Sequence, residues 1–123
     1  MSKSILVVDD SDITRKITRL FLEIQIDLEV CGEADDGVDA IKKAKELKPD
    51  LILLDLVMPR MNGIEAASVI KGIMPQVLIV LFTMYKETVG NALASAVGID
   101  AVLSKPDGGW NLLECVQTLL QGT

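Results

Sequence analysis

The chain has no histidine and only two cysteines, Cys31 and Cys115, and neither sits in a CxxC arrangement. The ordinary ligands of a zinc centre are missing, so zinc chemistry is effectively excluded. Aromatic residues make up 3% of the 123 residues while hydrophobic residues make up 50%. The core must then be aliphatic, the usual composition of a small α/β domain whose strands are covered on both faces. The longest uninterrupted apolar run, Val77 to Phe82, is far too short to cross a membrane. The run Ile5 to Val8 is too short for a signal peptide and is followed by acids. The expected location is the cytoplasm, with both thiols reduced. Basic residues are outnumbered 12 to 18 by acidic ones, for a net charge of -6. Such a domain is repelled by phosphate backbones, which argues against direct nucleic-acid binding. The length fits one domain, residues 1–123, with one hydrophobic core.

What is present is an alternation of two periods. Short aliphatic runs at Ile5–Val8, Leu28–Cys31, Leu51–Leu54, Val77–Phe82 and Ala101–Leu103 read as strands. Between them lie stretches with helical spacing. These are Ile13, Ile17, Leu20, Phe21 and Ile24; Val38, Ile41, Ala44 and Leu47; Ile64, Ala67 and Ile70; and Leu112, Leu113, Val116, Leu119 and Leu120. A fourth helix, roughly Lys86 to Val97, is interrupted by Gly90. Pro49-Asp50 ends the second helix, Asn62 with Glu65 can cap the third, and Pro75 stops it. Five strand–helix units in strict alternation imply a parallel sheet with helices on both faces. The expected fold is α/β and flavodoxin-like, a (βα)5 unit with strand order 2-1-3-4-5. In that order ligands bind beyond the carboxyl ends of the first and third strands, at the topological switch point.

The polar residues at those strand ends are complementary. The first strand ends in Asp9-Asp10, the third in Asp55, the fourth in Thr83, and the fifth is followed by Lys105-Pro106. Three carboxylates in one pocket repel one another and raise each other's pKa values. A hard dication such as Mg²⁺ removes that conflict, with Asp10 and Asp55 as direct ligands and Asp9 through water. A carboxylate held against such a metal can attack a phosphoryl group and form an aspartyl phosphate. Lys105 and the Thr83 hydroxyl can each meet a phosphoryl oxygen. Each residue alone has a plainer reading: the Asp pair as a helix cap, Asp55 as a loop residue, Thr83 as a strand terminus, Lys105 as a solvated charge. Their coincidence at four strand ends favours the functional reading.

These residues resemble a known family. Ile5-Leu6-Val7-Val8-Asp9-Asp10-Ser11 resembles the opening of response-regulator receiver domains, and Asp55-Leu56-Val57-Met58-Pro59-Arg60-Met61-Asn62-Gly63 resembles the segment that begins with their phosphoacceptor. Thr83, Lys105-Pro106, Gly32 to Gly37 and Lys48 to Leu51 are also similar, so the likeness spans essentially the whole chain. The resemblance implies a two-component signalling domain, related to chemotaxis regulators, rather than a conventional enzyme. Asp55 is then the phosphoacceptor, with Thr83 and Lys105 binding the phosphoryl group. Asp9, Asp10, Asp55 and the backbone carbonyl of Val57 hold Mg²⁺ or Mn²⁺. The phosphodonor is a phosphohistidine on a sensor histidine kinase or phosphotransfer protein, and acetyl phosphate should serve as a small donor. The Lys105–Pro106 bond is expected to be cis. Homodimerisation on phosphorylation is a further family expectation.

Two positions depart from the family's pattern. The switch aromatic, three residues before the lysine, is replaced by Val102, and the residue after the threonine, commonly small, is Met84. Val102 has no ring to swing inward, and Met84 is long enough to crowd the mouth of the site. The expected readout face is the fourth helix, fifth strand and fifth helix, roughly Lys86 to Leu120. The chain stops soon after the last helix, so its output is expected through a downstream protein or an output domain missing from the C-terminus.

Three rivals stay open on the residues alone. Asp10-Ser11-Asp12-Ile13-Thr14 fits the DxDxT pattern of haloacid-dehalogenase-like phosphatases, with Asp10 as nucleophile and Asp12 as general acid. That reading leaves Asp55 without a role and finds no late acidic pair. A flavin- or nucleotide-binding module needs a Gly-, Ser- or Thr-rich loop where Asp9-Asp10-Ser11-Asp12 stands. A degenerate receiver that only mediates contacts is the third.

Overall fold

The computed structural model describes residues 2–85, 89–105 and 108–122. Its elements are β1 (Lys3–Val8), α1 (Asp12–Glu23), β2 (Leu28–Ala34), α2 (Gly37–Leu47), β3 (Leu51–Leu54), α3 (Gly63–Ile73), β4 (Leu78–Thr83), α4 (Asn91–Ala96), β5 (Ala101–Ser104) and α5 (Gly108–Gln121). The five strands are all parallel, in the order β2-β1-β3-β4-β5. This is the expected doubly wound arrangement, and the chain reverses its direction of winding between β1 and β3.

The aliphatic strands are explained by two cores, one on each face of the sheet. Leu6, Val8, Ile52, Leu54, Ile79 and Leu81 meet one layer of helices through Ala40, Ala44, Ala66, Ala67, Ile70 and Ala94. The alternate residues Ile5, Val7, Leu51, Leu53 and Val80 meet Leu22, Leu112, Leu113, Val116 and Leu120. Successive side chains of a strand point to opposite faces, so a strand covered on both sides is apolar at every position. Alanines on α2 and α3 let those helices lie close to the sheet.

Local signals set the helix ends. Ser11 caps α1 by accepting from the Thr14 N–H, and Asp36 caps α2 by accepting from the Asp39 N–H. Asn62 and Glu65 form a full capping box on α3. The second helix ends on Lys48 in a left-handed conformation, φ 47°, one residue before Pro49.

Helical spacing locates α1, while the structure decides which of its sides is buried. The stripe Ile13, Ile17, Leu20 and Ile24 on α1 faces solvent, at 60–70% exposure, while Thr18 and Leu22 on the opposite side are buried and Phe21 is half-buried. Periodicity marks a face without saying which side of the molecule it meets. Here polar anchors fix the rotation: Arg15 and Arg19 reach from α1 to Glu33 at the end of β2. Of the expected fourth helix, the described residues include Asn91–Ala96, with Gly90 at φ 73° as its unassisted N-cap. Residues 86–88 of the expected helix, and Pro106 of the expected cis bond, lie outside the described residues. No helix among the described residues is long and apolar enough to cross a membrane.

Candidate functional site

The site stands at the carboxyl edge of β1 and β3. Parallel pairing in register places Val8 beside Leu54, so Asp9 and Asp55 leave adjacent strands at the same level. The Asp9 N–H donates to the Ala34 carbonyl and the Asp55 N–H to the Val8 carbonyl, extending the ladder one residue past each strand. Carboxylate oxygens of Asp9, Asp10 and Asp55 all lie within 4.8 Å of one another. Asp9 and Asp55 are buried and Asp10 is exposed.

Lys105 reaches this cluster from the end of β5. Its Nζ donates to Asp9 Oδ2 at 2.6 Å and to Asp55 Oδ2 at 3.1 Å. The remaining carboxylate oxygens are served by backbone: Asp9 Oδ1 accepts from the Ser11 N–H and Asp55 Oδ1 from the Leu56 N–H. Burial pushes the Asp55 carboxyl above the usual range, and the neighbouring Asp9 charge adds to this against the pull of Lys105. For Lys105, burial works against its charge, but the Asp9 hydrogen bond and the Asp55 charge hold its pKa above the ordinary lysine value.

Thr83 is fully buried at the end of β4, where its hydroxyl accepts from the Tyr85 N–H at 3.1 Å. No hydrogen bond joins it to Asp55 among the described residues. Val57 is half-exposed two residues beyond Asp55, Met84 is 68% exposed beside Thr83, and Val102 packs half-buried against the core.

Reasoning from sequence missed the groups that hold these loops. Arg15 donates to the Asp9 backbone carbonyl and to Glu33. Arg60 donates through two nitrogens to Asp36. Gly63 is required by a close approach: a Cβ there would stand 2.2 Å from the Asp55 carbonyl oxygen. The signals present were positional, an Arg one helical turn beyond the N-cap of α1 and an Asp just before Gly37, but neither partner is near in sequence.

The donor set suits a hard cation. Three carboxylates with one cation between them leave an excess of negative charge, all of it on oxygen. The phosphatase reading is not supported, because Asp12 is directed away to Arg15 with its side chain 80% exposed.

Fold and site together define a class: a doubly wound α/β domain with an acidic pocket and a lysine at its switch point. The chain belongs to the response regulator receiver domain family, whose sequence profile matches residues 5–117. It is 38% identical over 122 residues to response regulator protein VraR of Staphylococcus epidermidis, covering 99% of this chain and 58% of that protein. The chain thus spans little more than half the length of the curated relatives it matches. Among solved structures it resembles the response regulator domain of Thermotoga maritima CheB, with TM-score 0.89, 32% identity and 96% of each chain covered. It also resembles a LuxR-family two-component response regulator from an Aurantimonas species, with TM-score 0.93, 28% identity, and 99% and 87% of the two chains covered.

Proposed function

We propose that Asp55 accepts a phosphoryl group from a phosphohistidine on a partner histidine kinase or phosphotransfer protein, in a reaction that needs Mg²⁺ or Mn²⁺. The observation that carries this reading is the cluster of Asp9, Asp10 and Asp55 within 4.8 Å, bridged by Lys105. Asp9, Asp10, Asp55 and the Val57 carbonyl would hold the metal. When bound, the metal supplies positive charge against the oxygens of the transferring group.

The protein's own groups do the rest. An Asp55 carboxylate oxygen forms the new O–P bond, the N–P bond to the donor imidazole breaks, and the electron pair returns to that nitrogen. Lys105 already contacts Asp55, so it meets a phosphoryl oxygen by exchanging its bond to Asp9 for one to the new group. Thr83 is the second phosphoryl contact once its hydroxyl turns from the Tyr85 N–H. Its movement is transmitted to β4, and the readout face is α4, β5 and α5. The bias it imposes equals the differential stabilisation of the two states.

The donor protein needs a docking surface beside the site. The solvent-facing stripe of Ile13, Ile17, Leu20 and Ile24 on α1 is such a surface, since contiguous exposed apolar patches mark protein contacts. It borders an apolar cavity of ≈ 280 Å³ lined by Thr14, Ile17, Phe21, Phe82, Lys105 and Leu112. The output is carried by a downstream protein or a further domain, as the partial coverage of the relatives suggests.

The test is incubation with acetyl phosphate and Mg²⁺, followed by intact mass and peptide mapping. Acid-labile phosphate on Asp55, absent without Mg²⁺ and absent in Asp55→Asn, is expected. Turnover through Asp10 that survives Asp55→Asn would overturn the assignment.

A further inference from the structure

We propose that Arg60 and Asp36 are a positioning pair that holds the loop following Asp55 in its metal-binding shape. The inference rests on the reading of the acidic cluster as a metal site. Asp36 and Arg60 do not touch the reacting atoms.

The loop from Leu56 to Asn62 leaves β3 directly after Asp55 and carries Val57. At its base it is closed by the Gly63 N–H donating to the Leu56 carbonyl at 2.8 Å. Its far side depends on α2. The Arg60 guanidinium donates from Nε to Asp36 Oδ2 at 2.8 Å and from a second nitrogen to the same oxygen. The Asp36 side chain is 3% exposed, whereas that of Arg60 is 65% exposed. The carboxylate is therefore the fixed point and the arginine is the part that is held. Asp36 is fixed twice over, because its other oxygen caps α2 through the Asp39 N–H at 2.8 Å. That N–H and the Arg60 guanidinium keep its carboxyl below the usual range against the effect of burial.

Backbone geometry points the same way. Arg60 has φ 67°, a conformation that only glycine adopts freely. A long branched cation at such a position needs a contact that compensates the strain, and the two-nitrogen bond to Asp36 is that contact. One residue on, Met61 lies against α2 so closely that a Cβ on Gly37 would stand 2.5 Å from the Met61 carbonyl oxygen. The loop is thus pressed onto the N-terminus of α2 at Met61 and latched there at Arg60. Freed from the latch, it loses the fixed approach that presents its backbone to the acidic cluster. Groups behind a metal site that orient its ligands commonly govern affinity.

The test is Mn²⁺ titration of the unphosphorylated full chain, followed by electron paramagnetic resonance, which reads metal binding apart from phosphoryl transfer. Arg60→Gly is the decisive variant, because glycine accepts φ 67° without strain and the fold is retained while the latch is lost. It is expected to weaken Mn²⁺ binding about tenfold. Arg60→Lys, which keeps charge but not the fork, should recover part of that loss. Asp36→Asn keeps a capping oxygen and should weaken binding to a similar degree, and combining it with Arg60→Gly should add little. Native Mn²⁺ affinity in Arg60→Gly overturns the proposal. An absence of Mn²⁺ binding by the native chain is a different result, since it removes the metal site and this role with it.

Discussion

The Lys105 ammonium lies closer to Asp9, at 2.6 Å, than to Asp55, at 3.1 Å, so in this state the lysine is held by Asp9 at least as much as by Asp55. It occupies charge that a metal would otherwise neutralise. Lys105→Met should therefore tighten Mg²⁺ binding severalfold while abolishing the response to phosphorylation. It should also cost on the order of 2 kcal/mol of metal-free stability, because two buried carboxylates lose their cation. Calorimetric Mg²⁺ titration and urea unfolding measure both, and weaker Mg²⁺ binding in the variant would refute the competition.

Metal should stabilise the fold by mass action. At a hundredfold excess over Kd, Mg²⁺ is expected to add about 2.7 kcal/mol to the unfolding free energy. Asp10→Asn should lose most of that gain. A thermal melt with and without Mg²⁺ shows it, and an equal gain in the variant would place the ion elsewhere.

Asp55 gives a pH dependence with a definite sign. Its folded-state pKa is raised, chiefly by burial. A carboxyl of that kind favours the folded state below its unfolded pKa and loses this contribution as pH rises through the higher folded value. Metal-free Asp55→Asn should then be more stable than the native chain at pH 7, with the gap closing as the pH falls toward about 4. Urea midpoints across that window, without Mg²⁺, decide it; a gap that widens on acidification would reverse the assignment.

Gly63→Ala places a methyl 2.2 Å from the Asp55 carbonyl oxygen and 3.0 Å from the Leu56 Cα, both backbone atoms that cannot turn aside. The expected cost is about 3 kcal/mol, with phosphoryl uptake slowed because Asp55 itself is displaced. Native stability in equilibrium unfolding would show that the loop has room to move.

The docking role proposed for the solvent-facing stripe on α1 can be tested apart from the chemistry. Ile17→Lys should change stability by no more than about 0.5 kcal/mol, as the side chain is 60% exposed. It should leave phosphorylation by acetyl phosphate unchanged and impair transfer from the phosphorylated kinase. Equal transfer from both donors would move the docking surface off α1.

Met84 follows Thr83 directly and is 68% exposed, and its length motivates the expectation that it crowds the mouth of the site. Met84→Ala is expected to raise the rates of phosphorylation and dephosphorylation with little change in stability. Unchanged rates would end that idea.

Much of this was legible from the residues. A strand covered on both faces must be apolar throughout, so Leu51-Ile52-Leu53-Leu54 announced itself, and the polar residue that ends such a run lies at a sheet edge. Alternation of strands and helices sets which edge, and the structure places Asp9, Asp10, Asp55 and Lys105 together there. Helix caps were equally plain, because Asn62 and Glu65 act over three residues. Tertiary structure alone decided which way α1 faces, since its isoleucine period is the same whether turned inward or outward and the rotation is set by Arg15 and Arg19 meeting Glu33. It alone paired Arg60 with Asp36, 24 residues away, and gave Gly63 its necessity from an atom of Asp55. Local chemistry is written within a few residues of itself, whereas contacts between loops exist only once the sheet has brought their ends to one edge.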